Sequence, residues 1–235
     1  MGEHTVTAFD EELDAIERLI RDMGDLAAAM IDTAARSLVA SDNALAHRVI
    51  SDDAVMDARQ RELDDLAIRV IARRQPMAQD LRAVVGAIRM AADLERIGDL
   101  AKNIAKRVGV VGNERLPRGP AQSIEVLAGM VLEQVRHIIE AYMGRDTHAL
   151  ARLRVEDEKI DLQYTAIFRE LLTYMMEDPR NISACTHLLF CAKNLERIGD
   201  HVTNIAENAF FILTGRQLPP ERPKADETGV DAPAA

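Results

Sequence analysis

Apolar residues recur at helical spacing through almost the whole chain. From Asp10 to Ala40 they fall at Leu13, Ile16, Ile20, Met23, Ala27, Met30, Ile31, Ala34 and Leu38, which predicts a first helix. Residues 1–8 read as frayed. Ser41-Asp42-Asn43 is a turn that supplies candidates for the next N-cap. A second helix follows to Arg74, with Leu45, Val49, Val55, Leu63, Leu66 and Val70 on its stripe. Pro76 stops it, because proline lacks a donor and disfavours helix in the residue before it. A third helix runs from about Met77 to Val111, carrying Leu81, Val84, Val85, Ile88, Leu94, Ile97, Ile104 and Val108. Gly109, Gly112, Asn113, Pro117, Gly119 and Pro120 then read as a linker. Three more helices are predicted over about 121–144, 147–177 and 180–214, the fifth halted at Asp178-Pro179 and the sixth at Gly215. No stretch alternates with a period of two, so no strand is expected. The fold class is all-α: six long helices in a tandem repeat of two three-helix bundles, over 9–112 and 120–215. The Pro- and acid-rich segment 216–235 reads as a disordered tail.

The repeat is explicit in one motif. Leu94-Glu95-Arg96-Ile97-Gly98-Asp99 returns as Leu195-Glu196-Arg197-Ile198-Gly199-Asp200, and each copy is followed four residues after its Asp by Asn103 or Asn204. Glu and Asp at i and i+4 stack on one helix face. Like charges so placed repel, and an interior helical glycine costs about 1 kcal/mol relative to alanine. Both costs are kept twice.

A second acidic pair belongs to the same repeat. Asp157 and Asp161 follow Asp53 and Asp57 by 104 residues, and Glu196 and Asp200 follow Glu95 and Asp99 by 101. The midpoint of the first two pairs falls at Pro76, and that of the second two falls between Asp178 and Pro179. An antiparallel hairpin turning at each proline therefore brings its two pairs to one height. The expected sites are Asp53, Asp57, Glu95 and Asp99 in the first bundle, and Asp157, Asp161, Glu196 and Asp200 in the second. Four facing carboxylates repel unless a cation neutralises them. Oxygen-only donors favour hard ions: Mg²⁺, Mn²⁺, Ca²⁺ or iron, with Zn²⁺ also retained. Asn103 and Asn204 are further oxygen donors. His201 sits about 100° from Asp200 around the helix and is not read as a ligand, while His137 and His187 are placed in or beside the core. The competing account leaves the carboxylates solvated and paired with Arg96, Arg197 or Lys102. Gly98 and Gly199 serve either close helix packing or space for a metal or partner. Asp80 is read as a first-turn partner of the helix dipole.

Composition narrows the function classes. A formal net charge of −10 and a pI near 5.1 exclude a general nucleic-acid binder. The longest apolar run is far shorter than the ~20 residues of a membrane span, and the N-terminus lacks the pattern of a signal peptide; a cytoplasmic protein is expected. Cys185 and Cys191 read as small core residues rather than a disulfide or metal pair.

The duplicated Leu-Glu-Arg-Ile-Gly-Asp, the segment Gln75-Pro76-Met77-Ala78 with Asp80-Leu81-Arg82, and the six-helix duplication resemble the PhoU family of phosphate-specific transport regulators, over about residues 10–215. The second hairpin lacks the Gln-Pro-Met-Ala segment. The resemblance implies multinuclear metal sites on the acidic motifs and a non-enzymatic adaptor. Such an adaptor lets the high-affinity phosphate transporter restrain a sensor histidine kinase when phosphate is plentiful. The expected partners are that kinase, the transporter ATPase subunit and a second copy of the chain as a homodimer. Contact with the membrane is peripheral, through the complex, and no direct contact with nucleic acid is expected. The rival functions are a carboxylate-bridged metalloenzyme, oxidase or phosphohydrolase, and a metal-free structural bundle.

Overall fold

The computed structural model describes residues 2–111 and 118–218, with no side-chain description for 2–7 and 118. Its elements are α1 (Gly2–Ala40), α2 (Asn43–Arg74), α3 (Ala78–Val111), α4 (Arg118–Met143), α5 (Thr147–Glu177), a 3-10 turn (Pro179–Asn181) and α6 (Ile182–Thr214). Among the described residues there is no strand, and no helix is long and apolar enough to cross a membrane.

Local chemistry explains the helix ends. Asp42 caps α2, accepting from the backbone N–H groups of Ala44 at 2.8 Å and Leu45 at 3.1 Å. Asp146, 104 residues later, caps α5 in the same way from His148 and Ala149. These side chains satisfy donors that have no partner within the helix. Gln75, placed before Pro76, leaves the helix in a left-handed conformation with φ 48°, its N–H bonded to the Ile71 carbonyl. Asp178 accepts from the Arg180 backbone N–H at 3.0 Å, so the chain turns once as a 3-10 segment before α6 begins.

Two boundaries differ from expectation. The first helix starts at Gly2 rather than Asp10: residues 2–9 contain no proline, and each residue added to an existing helix gains a hydrogen bond. Gly119 and Pro120, read as linker, form the first turn of α4, where a proline forfeits no helical bond. Gly109 lies in α3. Gly112, Asn113 and Pro117 of that linker, and residues 219–235 of the predicted tail, lie outside the described residues.

Each half packs as three mutually contacting helices, and the halves join through α3 against α6 and α1 against α4. One continuous apolar core runs through both. The α3–α6 contact is antiparallel: Gly86 meets Ile212, while Arg107 lies over the Phe190 ring at 4.6 Å and 3.3 Å from His187 Nδ1. Gly24 and Gly86 allow this approach, since a Cβ on either would collide with Ile139 or Ile212. Val55, Leu81 and Val85, assigned to apolar stripes, are exposed. Cys185 and Cys191 are buried free thiols.

Candidate carboxylate centres

In the first half, α2 and α3 bring the predicted carboxylates into one neighbourhood. Lys102, one turn beyond Asp99, places its Nζ 2.7 Å from Asp53 Oδ2 and 2.5 Å from Asp99 Oδ1. It thereby joins the two helices. Burial alone would depress this ammonium, but its hydrogen bonds to Asp53 and Asp99 and their charges push its pKa up to about 12. Arg96 lies 3.6 Å from Glu95 and 3.5 Å from Asp99. Glu95 is held above the ordinary carboxylate range, first by desolvation and then by the charge of Asp99, with Asp57 and Asp53 adding to it and Arg96 opposing. All four carboxylates remain half-exposed.

The second half places the equivalent residues deeper. Asp157, Asp161 and Glu196 are buried, at 2%, 4% and 6% exposure, while Asp200 is half-buried. Glu196 is raised by desolvation and by the charges of Asp200 and Asp161, against a hydrogen bond and charge from Lys193. Lys193 Nζ is 2.9 Å from Glu196 Oε1 and sits over the Tyr164 ring. Glu196 Oε2 is buried with no hydrogen-bond partner among the described residues. Thr203, the residue 101 positions after Lys102, donates its hydroxyl to the Gly199 carbonyl at 2.9 Å, with Asp157 Oδ2 3.4 Å away.

For a hard cation the donor chemistry fits: the groups are carboxylate oxygens, clustered, and costly to hold together as bare anions. Their present rotamers do not form a cage. Among the described residues no group of three or more His, Cys, Asp or Glu is arranged to hold a metal ion. In the first half, the place between Asp53 and Asp99 is taken by the Lys102 ammonium, one of the pairings of the competing account.

The motif glycines serve close packing. Gly98 faces Met56 and Met30, and Gly199 faces Asp157 and Ile160. His201 points across the bundle interface, with Nδ1 2.9 Å from Asp93 Oδ1. Asn204 donates to the same Asp93 oxygen at 3.4 Å, and Asn103 is exposed. The side-chain nitrogen of Asn204 thus turns toward the other bundle. His137, placed in or beside the core by the sequence, is instead exposed on α4, 3.9 Å from Glu133. It lines an open cleft of about 760 Å³ between α4 and α5, with Glu133, Gln134, Glu140, Arg152 and Lys159. Gln134 is buried in this cleft where the first half, 104 residues earlier, has Met30.

Comparison with known proteins follows the same duplication. The PhoU domain pattern matches residues 20–108 and again 124–209. A phosphate-specific transport system accessory protein PhoU homolog from Rhizobium meliloti is 54% identical over 225 residues, covering 96% of this chain and 95% of that protein. A homolog of the same name from Caulobacter vibrioides is 45% identical over 226 residues, covering 96% and 98%. The crystal structure of PhoU from Pseudomonas aeruginosa superposes with a TM-score of 0.85 at 33% identity, covering 88% of this chain and 100% of that one. The phosphate transport system regulatory protein PhoU from Streptococcus pneumoniae gives 0.82 at 26% identity, covering 90% and 99%.

Proposed function

This chain belongs to the PhoU family, and from that premise we propose that it is a cytoplasmic negative regulator of phosphate-starvation signalling. In this reading it couples the high-affinity phosphate transporter to a sensor histidine kinase, contacting the kinase and the transporter's ATPase subunit, and it acts as a homodimer. The chain reaches the membrane only through that complex. The observation that carries the proposal is likeness over the whole length: 54% identity across 96% of the chain to a protein named a phosphate transport accessory protein. Both halves are matched separately. The role is regulatory rather than catalytic, in line with the names of its relatives.

The carboxylate clusters supply the metal side of this reading. Asp53, Asp57, Glu95 and Asp99 would hold cations in the first half, and Asp157, Asp161, Glu196 and Asp200 in the second. Divalent magnesium, manganese or zinc, or iron, would neutralise charge there. The support is the oxygen-only donor set, the raised pKa of Glu95 and Glu196, and the buried Glu196 oxygen that lacks a donor. The chain's own contribution is to hold the carboxylates on facing helices, at equal height from the hairpin turn.

The test is genetic and biochemical together. Deleting the gene should leave phosphate-starvation genes expressed in high phosphate, and the purified chain should capture the transporter ATPase subunit or the kinase. Normal repression in the deletion strain, with no capture at any phosphate concentration, would refute the proposal.

A further inference from the structure

The two halves carry the same acidic motif, but they differ at the residue one turn beyond it. Lys102 in the first half corresponds to Thr203 in the second. Lys102 does not extend into water as a lysine in this register usually does; its side chain is only 18% exposed. Its ammonium instead bridges α2 and α3, 2.7 Å from Asp53 and 2.5 Å from Asp99. Those two residues belong to the two acidic pairs that a bridging metal would have to join.

We propose that Lys102 is the resident cation of the first carboxylate cluster, so that a divalent metal enters there only by displacing it. This rests on the reading of the clusters as metal sites. An ammonium and a metal ion compete for the same carboxylate lone pairs. The ammonium donates through directed N–H bonds of ordinary hydrogen-bond length, while Mg²⁺ requires oxygens at about 2.0–2.1 Å and Ca²⁺ at about 2.3–2.6 Å. Both cannot sit between Asp53 and Asp99. The lysine is tethered and always present, so free metal must exchange two charge-assisted, partly buried hydrogen bonds for its own contacts. The consequence is a chain with two unequal clusters. Lys102 sets the metal concentration at which the first one fills, and its ammonium is released to solvent when that happens.

The experiment uses the full chain, stripped of metal by chelator, and Mn²⁺ as the probe, with calorimetric titration of four proteins. These are wild type, Lys102→Thr, Lys102→Gln, and Lys102→Thr combined with Glu95→Ala and Asp99→Ala. The two neutral variants should gain Mn²⁺ affinity at one class of site by about tenfold, the change expected for losing a competing ion pair of this kind. The triple variant should lose that gain. A melting readout is independent of the titration. Without metal, Lys102→Thr and Lys102→Gln should melt below wild type because the carboxylates lose their counter-ion, and Mn²⁺ should raise their melting temperature more than it raises that of wild type. Wild type and both neutral variants binding Mn²⁺ equally would overturn the role of Lys102 and leave the metal reading standing. Absence of Mn²⁺ binding in all four proteins would overturn the metal reading, and this inference with it.

Discussion

The duplicated glycine of the motif gives a paired test of the packing, because Gly98 and Gly199 hold the same position in the repeat against different neighbours. Replacing glycine by alanine inside a helix gains about 1 kcal/mol of helix propensity. A Cβ on Gly98 would meet Met56 Cγ at 3.2 Å, Met56 Cε at 3.5 Å and Met30 Cε at 3.6 Å. Methionine is unbranched and yields by small rotations, so Gly98→Ala should be neutral or stabilising by up to about 1 kcal/mol. A Cβ on Gly199 would lie 2.6 Å from Asp157 Oδ1. Ordinary contact begins near 3.4 Å, so this buried carboxylate must retreat by about 0.8 Å. Overpacking of that kind costs about 1–3 kcal/mol, which cancels or exceeds the propensity gain. The two variants should therefore differ by about 1–3 kcal/mol, with Gly199→Ala the less stable. For a chain of this size each kcal/mol moves the melting temperature by about 2–4 °C. Thermal unfolding followed by circular dichroism at 222 nm, in chelator, measures the order directly. Gly199→Ala melting at or above Gly98→Ala would refute the claim that Asp157 packs against the motif glycine.

Two further outcomes follow from the carboxylate centres. Elemental analysis of protein purified without chelator or affinity-tag nickel should find bound metal, and replacing both Glu95 and Asp99 by alanine should remove the first half's share while sparing the second. Equal metal content in the two proteins would count against the first site. Glu196 gives a pH test in the metal-free chain. Its folded pKa is raised above the ordinary 4.5, so the folded state holds the proton more tightly than the unfolded one, and stability falls as pH rises from about 4.5 through the folded value. Glu196→Gln removes that loss. It should be more stable than wild type at pH 7.5, by an amount on the order of 1 kcal/mol, with the difference shrinking toward pH 4.5. A difference independent of pH would show that burial does not govern this carboxyl.

The helices were legible because their punctuation is chemical. Asp42 supplies an N-cap, Pro76 and Pro179 end or redirect the chain, and Gly215 closes α6 in a left-handed conformation with φ 70°. What periodicity does not carry is the identity of the neighbour. The stripe on α3 predicts burial of Ile97 and Ile104, yet says nothing of α6 lying antiparallel beside it, because one apolar face is satisfied by any other. The same gap hid the role of His201. From Asp200 it is known only to point elsewhere, and its partner Asp93 lies 108 residues away.

The carboxylates were legible for a different reason, and the limit of that reasoning lies in Lys102 and Gln134. Spacing within a helix fixes a face, and an equal distance from a proline turn fixes a height. Two such constraints are enough to gather Asp53, Asp57, Glu95 and Asp99 without any knowledge of tertiary structure. Neither constraint gives depth. The first cluster is half-exposed and the second largely buried, and the residues around them differ: Met30 answers to Gln134 and Lys102 to Thr203. A lysine three residues after an aspartate normally forms a solvated pair contributing a few tenths of a kcal/mol. Only the proximity of α2 turns Lys102 into a bridge between helices. The motif thus duplicated faithfully while its surroundings diverged, and it is those surroundings that set how each cluster balances its charge.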